Sequence, residues 1–187
     1  MGQLTAPAAP AAAGNAQQGL QQYLTFTLNK ELFAIDILHI KEIIEYGQLT
    51  EIPMLPAFIR GVINLRGTVV PVIDLWARFG NQQTQIARRT CIIIVEMMQS
   101  IDGIGTKHDI GIIVDSVNAV IDIPAADIEP PPSFGARIRA DFIYGMGKVA
   151  EQFVIILDID RVLSVEEMSQ LVSISDNAGH LAHQEQA

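Results

Sequence analysis

PAFIRGVINLRGTVVPVIDL, residues 56–75, is the stretch from which the architecture is best read. Gly61 and Gly67 bracket an apolar run that carries Asn64 and Arg66. Gly67 lets the chain turn tightly before the next strand, and the Asn64 amide can satisfy backbone groups of that turn. Arg66 is then a cation on a turn between apolar strands. Its simplest reading is a surface charge, with Glu42 as a candidate partner across the fold. The stretch closes on Val72-Ile73-Asp74-Leu75, an apolar run that ends on an aspartate.

The same ending occurs at Phe33-Ala34-Ile35-Asp36-Ile37 and at Ile155-Ile156-Leu157-Asp158-Ile159. Aspartate is a good helix N-cap because its carboxylate accepts orphan backbone N–H groups. Each copy therefore predicts a strand ending on a capped turn of helix. After Asp36, Ile37, Ile40 and Ile44 share one helical face, and Gly47 can end it, so a helix carrying Ile40 and Glu42 is predicted. After Asp158, Val162 and Leu163 supply the apolar face. Further strands are predicted over 23–28 and 32–35, joined by a turn at Asn29-Lys30, and over 69–73, 90–95, 110–114, 118–123 and 152–157. Many short strands with little helix predict a barrel or sandwich, and the recurring unit predicts two related half-domains.

The chain has 187 residues, 49% hydrophobic and 18% charged. A disordered protein would show the reverse. With the tails set aside, roughly 150 residues remain, enough to bury about two-thirds of the unfolded surface. The net charge is −9, and the closest approach to a basic patch is Arg88-Arg89, which argues against nucleic-acid binding. One cysteine, Cys91, excludes an internal disulfide and fits a reducing cytoplasm. No apolar run reaches membrane-spanning length, and no signal peptide is expected at the N-terminus. Met1-Gly2 would suit myristoylation, but Ala6 stands where Ser or Thr is needed. Residues 1–20, rich in Ala, Pro, Gly and Gln, are expected to form a flexible tail, and 173–187 a frayed end or weak helix.

Candidate chemistry is sparse. Asp36, Asp74 and Asp158 could serve acid–base work or bind Mg²⁺, but their shared context favours capping. Asp115-Ser116-Val117 lacks the glycine of an aspartic-protease motif. Cys91 lies in an apolar strand, which favours packing over nucleophilic reactivity. His39 on the predicted helix and His108 in a predicted loop have no relay partner. Residues 103–108, GIGTKH, lack a third glycine and a following helix, so a long hairpin loop is expected rather than a nucleotide site. His180-x-x-His183 supplies only two ligands on a tail, too few for a metal site. No cofactor is implied.

Several segments, taken in order, carry a family likeness: FAIDILHIKEI after the opening hairpin, then PAFIRGVINLRGTVVPVIDL, IGIIVDSVNAV, IEPPPSF, and GMGKV followed by FVIILDIDRVL. In these the sequence resembles the CheW family of chemotaxis coupling proteins, from Tyr23 to about Leu171. The resemblance implies a mainly β fold of two small five-stranded SH3-like barrels sharing an apolar core, with a few short helices. It implies one domain over 21–172 whose intertwined halves meet near 80–90.

The resemblance also implies a non-enzymatic cytoplasmic adaptor, recruited to receptor arrays without inserting into the membrane. Its partners would be the regulatory domain of the chemotaxis histidine kinase and the cytoplasmic tip of methyl-accepting receptors. By motif position, Ile40, Glu42, Gly61, Arg66, Cys91, Val120 and Gly145 are expected at the receptor groove, with Glu42 orienting Arg66, and Phe134 at the kinase contact. A long hairpin over 99–109 and the N-terminal extension depart from the family pattern. Two other readings stay open: a coupler of another chemosensory pathway, such as pilus motility, and a small hydrolase using the strand-end aspartates.

Overall fold

The computed structural model describes residues 19–132 and 138–184. Ten strands form two five-stranded sheets. They are β1 (Leu20–Leu28), β2 (Glu31–Asp36), β3 (Ile40–Glu45), β4 (Ile59–Leu65), β5 (Thr68–Asp74), β6 (Cys91–Ile101), β7 (Ile104–Val114), β8 (Ser116–Pro124), β9 (Ile143–Val149) and β10 (Gln152–Leu157). The helices are α1 (Leu75–Arg78) and α2 (Val165–Gln184), with 3-10 turns at Ile37–His39, Ala125–Asp127, Ala140–Phe142 and Ile159–Arg161. The sheet orders are β8-β1-β2-β10-β9 and β3-β6-β7-β5-β4. These correspond strand for strand. Each has two antiparallel hairpins joined by one parallel pairing, β2 with β10 and β7 with β5.

Four hairpins set the register, each closed by two residues at positive φ: Asn29-Lys30, Arg66-Gly67, Asp102-Gly103 and Ala150-Glu151. Such turns match the right-handed twist of the flanking strands. In the second, the Gly67 N–H donates to Asn64 Oδ1 at 2.9 Å, the role expected of Asn64. Each sheet is then closed into a barrel by one isolated bridge between its margins. Thr50, downstream of β3, pairs with Val62 on β4, and Glu129, downstream of β8, pairs with Met146 on β9. Both closures sit beside the repeated motif Phe-Ile-x-Gly, residues 58–61 and 142–145.

Side chains on one face of the second sheet, among them Val72, Ile92, Ile94 and Ile113, fill that barrel. Tyr23, Ala34, Val154 and Ile156 fill the other. The alternate residues, including Ile73, Ile93, Val95 and Ile112 from one sheet and Phe26, Phe33, Ile35 and Leu157 from the other, meet in a single larger core between the barrels. A column of rings, Phe26, Phe33, Phe79 and Phe142, runs through it with centroid spacings of 5.9, 6.0 and 5.9 Å.

Several expectations are corrected. The helix predicted after Asp36 lasts one 3-10 turn, capped by Asp36 Oδ1 on the Leu38 N–H at 2.9 Å. The chain then becomes β3, which alternates in burial and pairs with β6. Isoleucines at 40, 43 and 44 fit the helical period, whereas in the strand a bulge between Ile40 and Glu42 brings Ile40 and Ile43 to one face and leaves Ile44 on the other. The open edge of β6 and their β-branched side chains decide for strand. The halves do not divide near 80–90. The chain leaves the first sheet after β2, builds the whole second sheet from β3 to β7, and returns with β8. Residues 99–109 are not a loop, because β6 and β7 continue to a two-residue Asp-Gly turn and place His108 on β7 opposite Met97. Of the C-terminal segment, residues 173–184 take the helical alternative as part of the long helix α2, while 185–187 lie outside the described residues. The helix is started by a capping box in which Ser164 Oγ accepts from the Glu167 N–H at 3.2 Å and Glu167 Oε2 from the Ser164 N–H at 2.7 Å. Met168 and Leu171 bury its face in the shared core. Residues 1–18 of the expected N-terminal tail lie outside the described residues, and Leu20 already belongs to β1.

The repeated aspartates do different work. Asp74 is wholly buried. It accepts from the Ala77 N–H at 3.2 Å, from the Thr84 N–H and hydroxyl at 2.7 and 2.8 Å, and from Arg60 Nη1 at 3.1 Å. Among the described residues Asp158 makes no side-chain cap and pairs only with the exposed Arg161, at 3.3 Å. Removing one partner of a buried, bonded pair leaves the others unsatisfied, whereas exposed pairs contribute little. Asp74→Ala is expected to lower unfolding free energy by about 3 kcal/mol and Asp158→Ala by less than about 1 kcal/mol. Denaturant midpoints of the two variants check the contrast.

Candidate partner-binding site

Glu42 and Arg66 form the best-defined polar contact at the expected receptor groove. Glu42 lies on β3, and Arg66 occupies the left-handed first position of the β4–β5 turn at φ 52°. Its guanidinium meets the carboxylate with two parallel bonds, Nη1–Oε1 at 3.0 Å and Nη2–Oε2 at 2.8 Å. The sequence-based pairing is thus present in the structure. The Arg66 side chain is 78% exposed and that of Glu42 25%, so Arg66 is a surface charge and the pair leaves a guanidinium edge open to solvent. An exposed pair of this kind contributes roughly 0–1 kcal/mol to stability. Its value lies in fixing the orientation of the turn against β3. Beside it, Lys41 contacts Asp109 at 2.7 Å and Glu96 at 3.4 Å, and Lys107 reaches Glu96 at 2.7 Å. Bonds from Lys107 and Lys41 hold the Glu96 carboxyl below its usual value, and the Asp109 bond raises Lys41.

Ile40, Cys91 and Val120 belong to a different part of the surface. Ile40 and Cys91 are half-buried and pack against the shared core from β3 and β6. Val120 sits opposite Leu24 across β8 and β1, and Val117 opposite Phe26. Leu24 and Phe26 face the shared core, so Val117 and Val120 share that face. The bulge between the two pairs is filled by Thr25, whose hydroxyl donates to the Ala119 carbonyl at 2.8 Å and accepts from its N–H at 3.1 Å. Cys91, Glu45, Thr27, Val117 and Asn118 line one depression where the barrels meet. Ile43, 42% exposed, and Val120, 47% exposed, leave apolar surface on this inter-barrel side.

Gly61 and Gly145 are placed for a structural reason. Each adjoins a bridge that closes a barrel. A Cβ at Gly61 would stand 2.3 Å from the Thr50 carbonyl oxygen, at a φ of +144°. A Cβ at Gly145 would stand 2.5 Å from Ile128 Cγ2 and 2.9 Å from the Glu129 oxygen. The space at Gly61 is therefore taken by the protein's own backbone, and that at Gly145 by the Ile128 side chain together with the Glu129 backbone. Phe134 lies outside the described residues. Arg60, Thr84 and Tyr23 are polar positions that the sequence did not single out. Burial with Tyr144 and Asp36 nearby pushes the Tyr23 hydroxyl up to about 12. The Phe-Ile-x-Gly repeat was the one signal that could have pointed to Arg60.

Asp74, the most buried of the aspartates proposed for hydrolysis, is saturated by protein donors and sealed from solvent. Among the described residues, no three His, Cys, Asp or Glu side chains group as a metal site requires. The architecture is that of two barrels joined through one shared core. A CheW-like domain model matches residues 22–167, and the chain belongs to the CheW family of chemotaxis coupling proteins. It is 37% identical over 155 residues to the chemotaxis protein CheW of Klebsiella aerogenes, covering 83% of this chain and 89% of that one. It is 29% identical over 153 residues to the chemotaxis protein CheW of Treponema pallidum, covering 82% and 88%. Its fold is similar to the crystal structure of the scaffolding protein TtCheW from Thermoanaerobacter tengcongensis, with a TM-score of 0.70 and 34% identity over 83% of this chain and 96% of that one.

The closures predict that Gly61→Ala costs more than about 2 kcal/mol, because both backbone contact and φ oppose it. Gly145→Ala costs less, because part of its clash is with a side chain. Binding losses in either variant then report the fold as well as the surface. Arg66→Glu, by contrast, leaves stability within about 1 kcal/mol of wild type, and Glu42→Arg combined with Arg66→Glu recovers the difference. Thermal unfolding of the four variants tests the assignment.

Proposed function

We propose that this protein couples methyl-accepting chemotaxis receptors to the chemotaxis histidine kinase by binding alone. One surface takes the cytoplasmic tip of the receptor and another the regulatory domain of the kinase, in a fixed relative geometry. The observation that carries the reading is the apolar inter-barrel side at family-matched positions, with Ile40 and Cys91 of the second sheet and Val120 of the first facing it and the Glu42–Arg66 pair held on the second sheet. A helical receptor tip suits such a surface, since an amphipathic helix buries its apolar stripe in a groove while polar groups fix its register. Gly61 and Gly145 contribute by keeping the barrels closed. Phe134 is the anchor proposed for the kinase domain, where one aromatic in a partner pocket can carry much of the affinity. Among the described residues no helix is long and apolar enough to cross a membrane. Recruitment from the cytoplasm to receptor arrays would then rest on the two protein contacts.

Arg66→Glu and Phe134→Ala separate the faces. In calorimetric titrations, Arg66→Glu should weaken receptor-tip binding about tenfold, or roughly 1.4 kcal/mol, and leave kinase-domain binding unchanged. Phe134→Ala should do the reverse. Equal losses toward both partners from either substitution would contradict the division.

A further inference from the structure

The two halves repeat, but the repeat is broken at one polar position. Phe58-Ile59-Arg60-Gly61, leading into β4, corresponds to Phe142-Ile143-Tyr144-Gly145, leading into β9. Asp74 at the end of β5 corresponds to Asp158 at the end of β10, and in both halves the aspartate N–H donates to the phenylalanine carbonyl, at 2.7 and 2.9 Å. In the first half Arg60 places its guanidinium on Asp74 at 3.1 Å, and Thr84 covers the pair. In the second half Tyr144 stands in place of arginine. The chain after Asp158 runs into α2, which packs against β5, and among the described residues no hydroxyl or backbone N–H bonds the Asp158 carboxylate as those of Thr84 bond Asp74.

What remains there is a recess lined by Gln21, Tyr23, Asp36, His39, Tyr144 and Asp158 over an apolar floor that includes Ile156 and Leu157. Tyr23 is buried, and among the described residues its buried hydroxyl has no hydrogen-bond partner. Asp36 accepts from the Gln21 amide and from the Leu38 N–H at 2.9 Å. His39 Nδ1 lies 3.2 Å from the Glu96 carbonyl. Arg161, 71% exposed, approaches Asp158 from outside with Nε at 3.3 Å. Two carboxylates, an unpartnered phenol and a 58% exposed Tyr144 ring make a site for a planar cation with several N–H donors.

We propose that this recess is a guanidinium site, filled by an arginine side chain from a protein partner. The other half of the molecule supplies the pattern, a guanidinium on the equivalent aspartate. A tyrosine at the mouth favours a side chain delivered across an interface, where Tyr and Arg are the common anchors. None of the residues proposed for the receptor or kinase faces lines this recess, so the site stands independently of that coupling.

The test needs no partner. Ethylguanidinium titrated into the full chain should shift the ring resonances of Tyr23 and Tyr144 saturably, at a Kd of about 1–10 mM. Ethylammonium should bind at least about fivefold more weakly, because it lacks the planar fork. Asp158→Asn should abolish the shift, and Tyr23→Phe should weaken it. Tyr144→Arg restores the first half's pattern internally. It should eliminate ethylguanidinium binding and raise the thermal midpoint by about 2–4 °C. Nα-acetyl-arginine N-methylamide should bind more tightly than free arginine, and the reverse order would overturn the protein source in favour of a free metabolite. No saturable shift up to about 50 mM, or an unchanged shift in Asp158→Asn, would overturn the site itself.

Discussion

The structure depends on a core that neither barrel owns. Inside each barrel the fully buried apolar residues form a narrow seam. Most large side chains, including the Phe26–Phe33–Phe79–Phe142 column, bury between the barrels. Each such side chain contributes roughly 1.5–3 kcal/mol on burial, so separating the halves would expose most of the stabilising surface. The chain also crosses from one sheet to the other at Ile37–His39 and back between β7 and β8. An adaptor that holds two partners at a set angle needs this property. The two barrels are held together as long as the shared core stays closed.

Repetition explains which positions are constrained, and its failures show where the halves have diverged. Gly61 and Gly145 serve the same closure. Asp74 and Asp158 end equivalent strands, yet one is sealed by Arg60 and Thr84 while the other stays near solvent. The helix α2 follows only the second of these units, where its capping box and its Met168 and Leu171 side chains close the end of the shared core. One half thus carries an internally satisfied polar cluster and the other an open one.

Much of this was legible in the sequence. The Asn-Lys and Arg-Gly turns, the Asp36 and Asp74 caps, the Asn64 amide and the Glu42–Arg66 pair are local or short-range features written in residue type. β3 was misread because its isoleucines satisfy helical spacing, and only the open edge of β6 chooses strand. The Ala150-Glu151 turn carries neither Gly nor Asn, so its left-handed residues are imposed by the flanking β9–β10 ladder. The resemblance implied intertwined halves, but the strand order was hidden because parallel pairing of β2 with β10 joins segments far apart in the chain. The structural role of the glycines emerged only once Thr50 and Glu129 were seen against them. Ser164-x-x-Glu167 was a readable helix start, obscured by the polar composition that follows it.

Simultaneous binding is the central claim, because a shared core matters to an adaptor only if both faces are occupied at once. Sedimentation velocity of the full chain mixed with the kinase regulatory domain and a receptor-tip fragment tests it most directly. A single ternary species, heavier than either binary complex and formed at both orders of addition, is the predicted result. Two binary complexes that displace one another would contradict it.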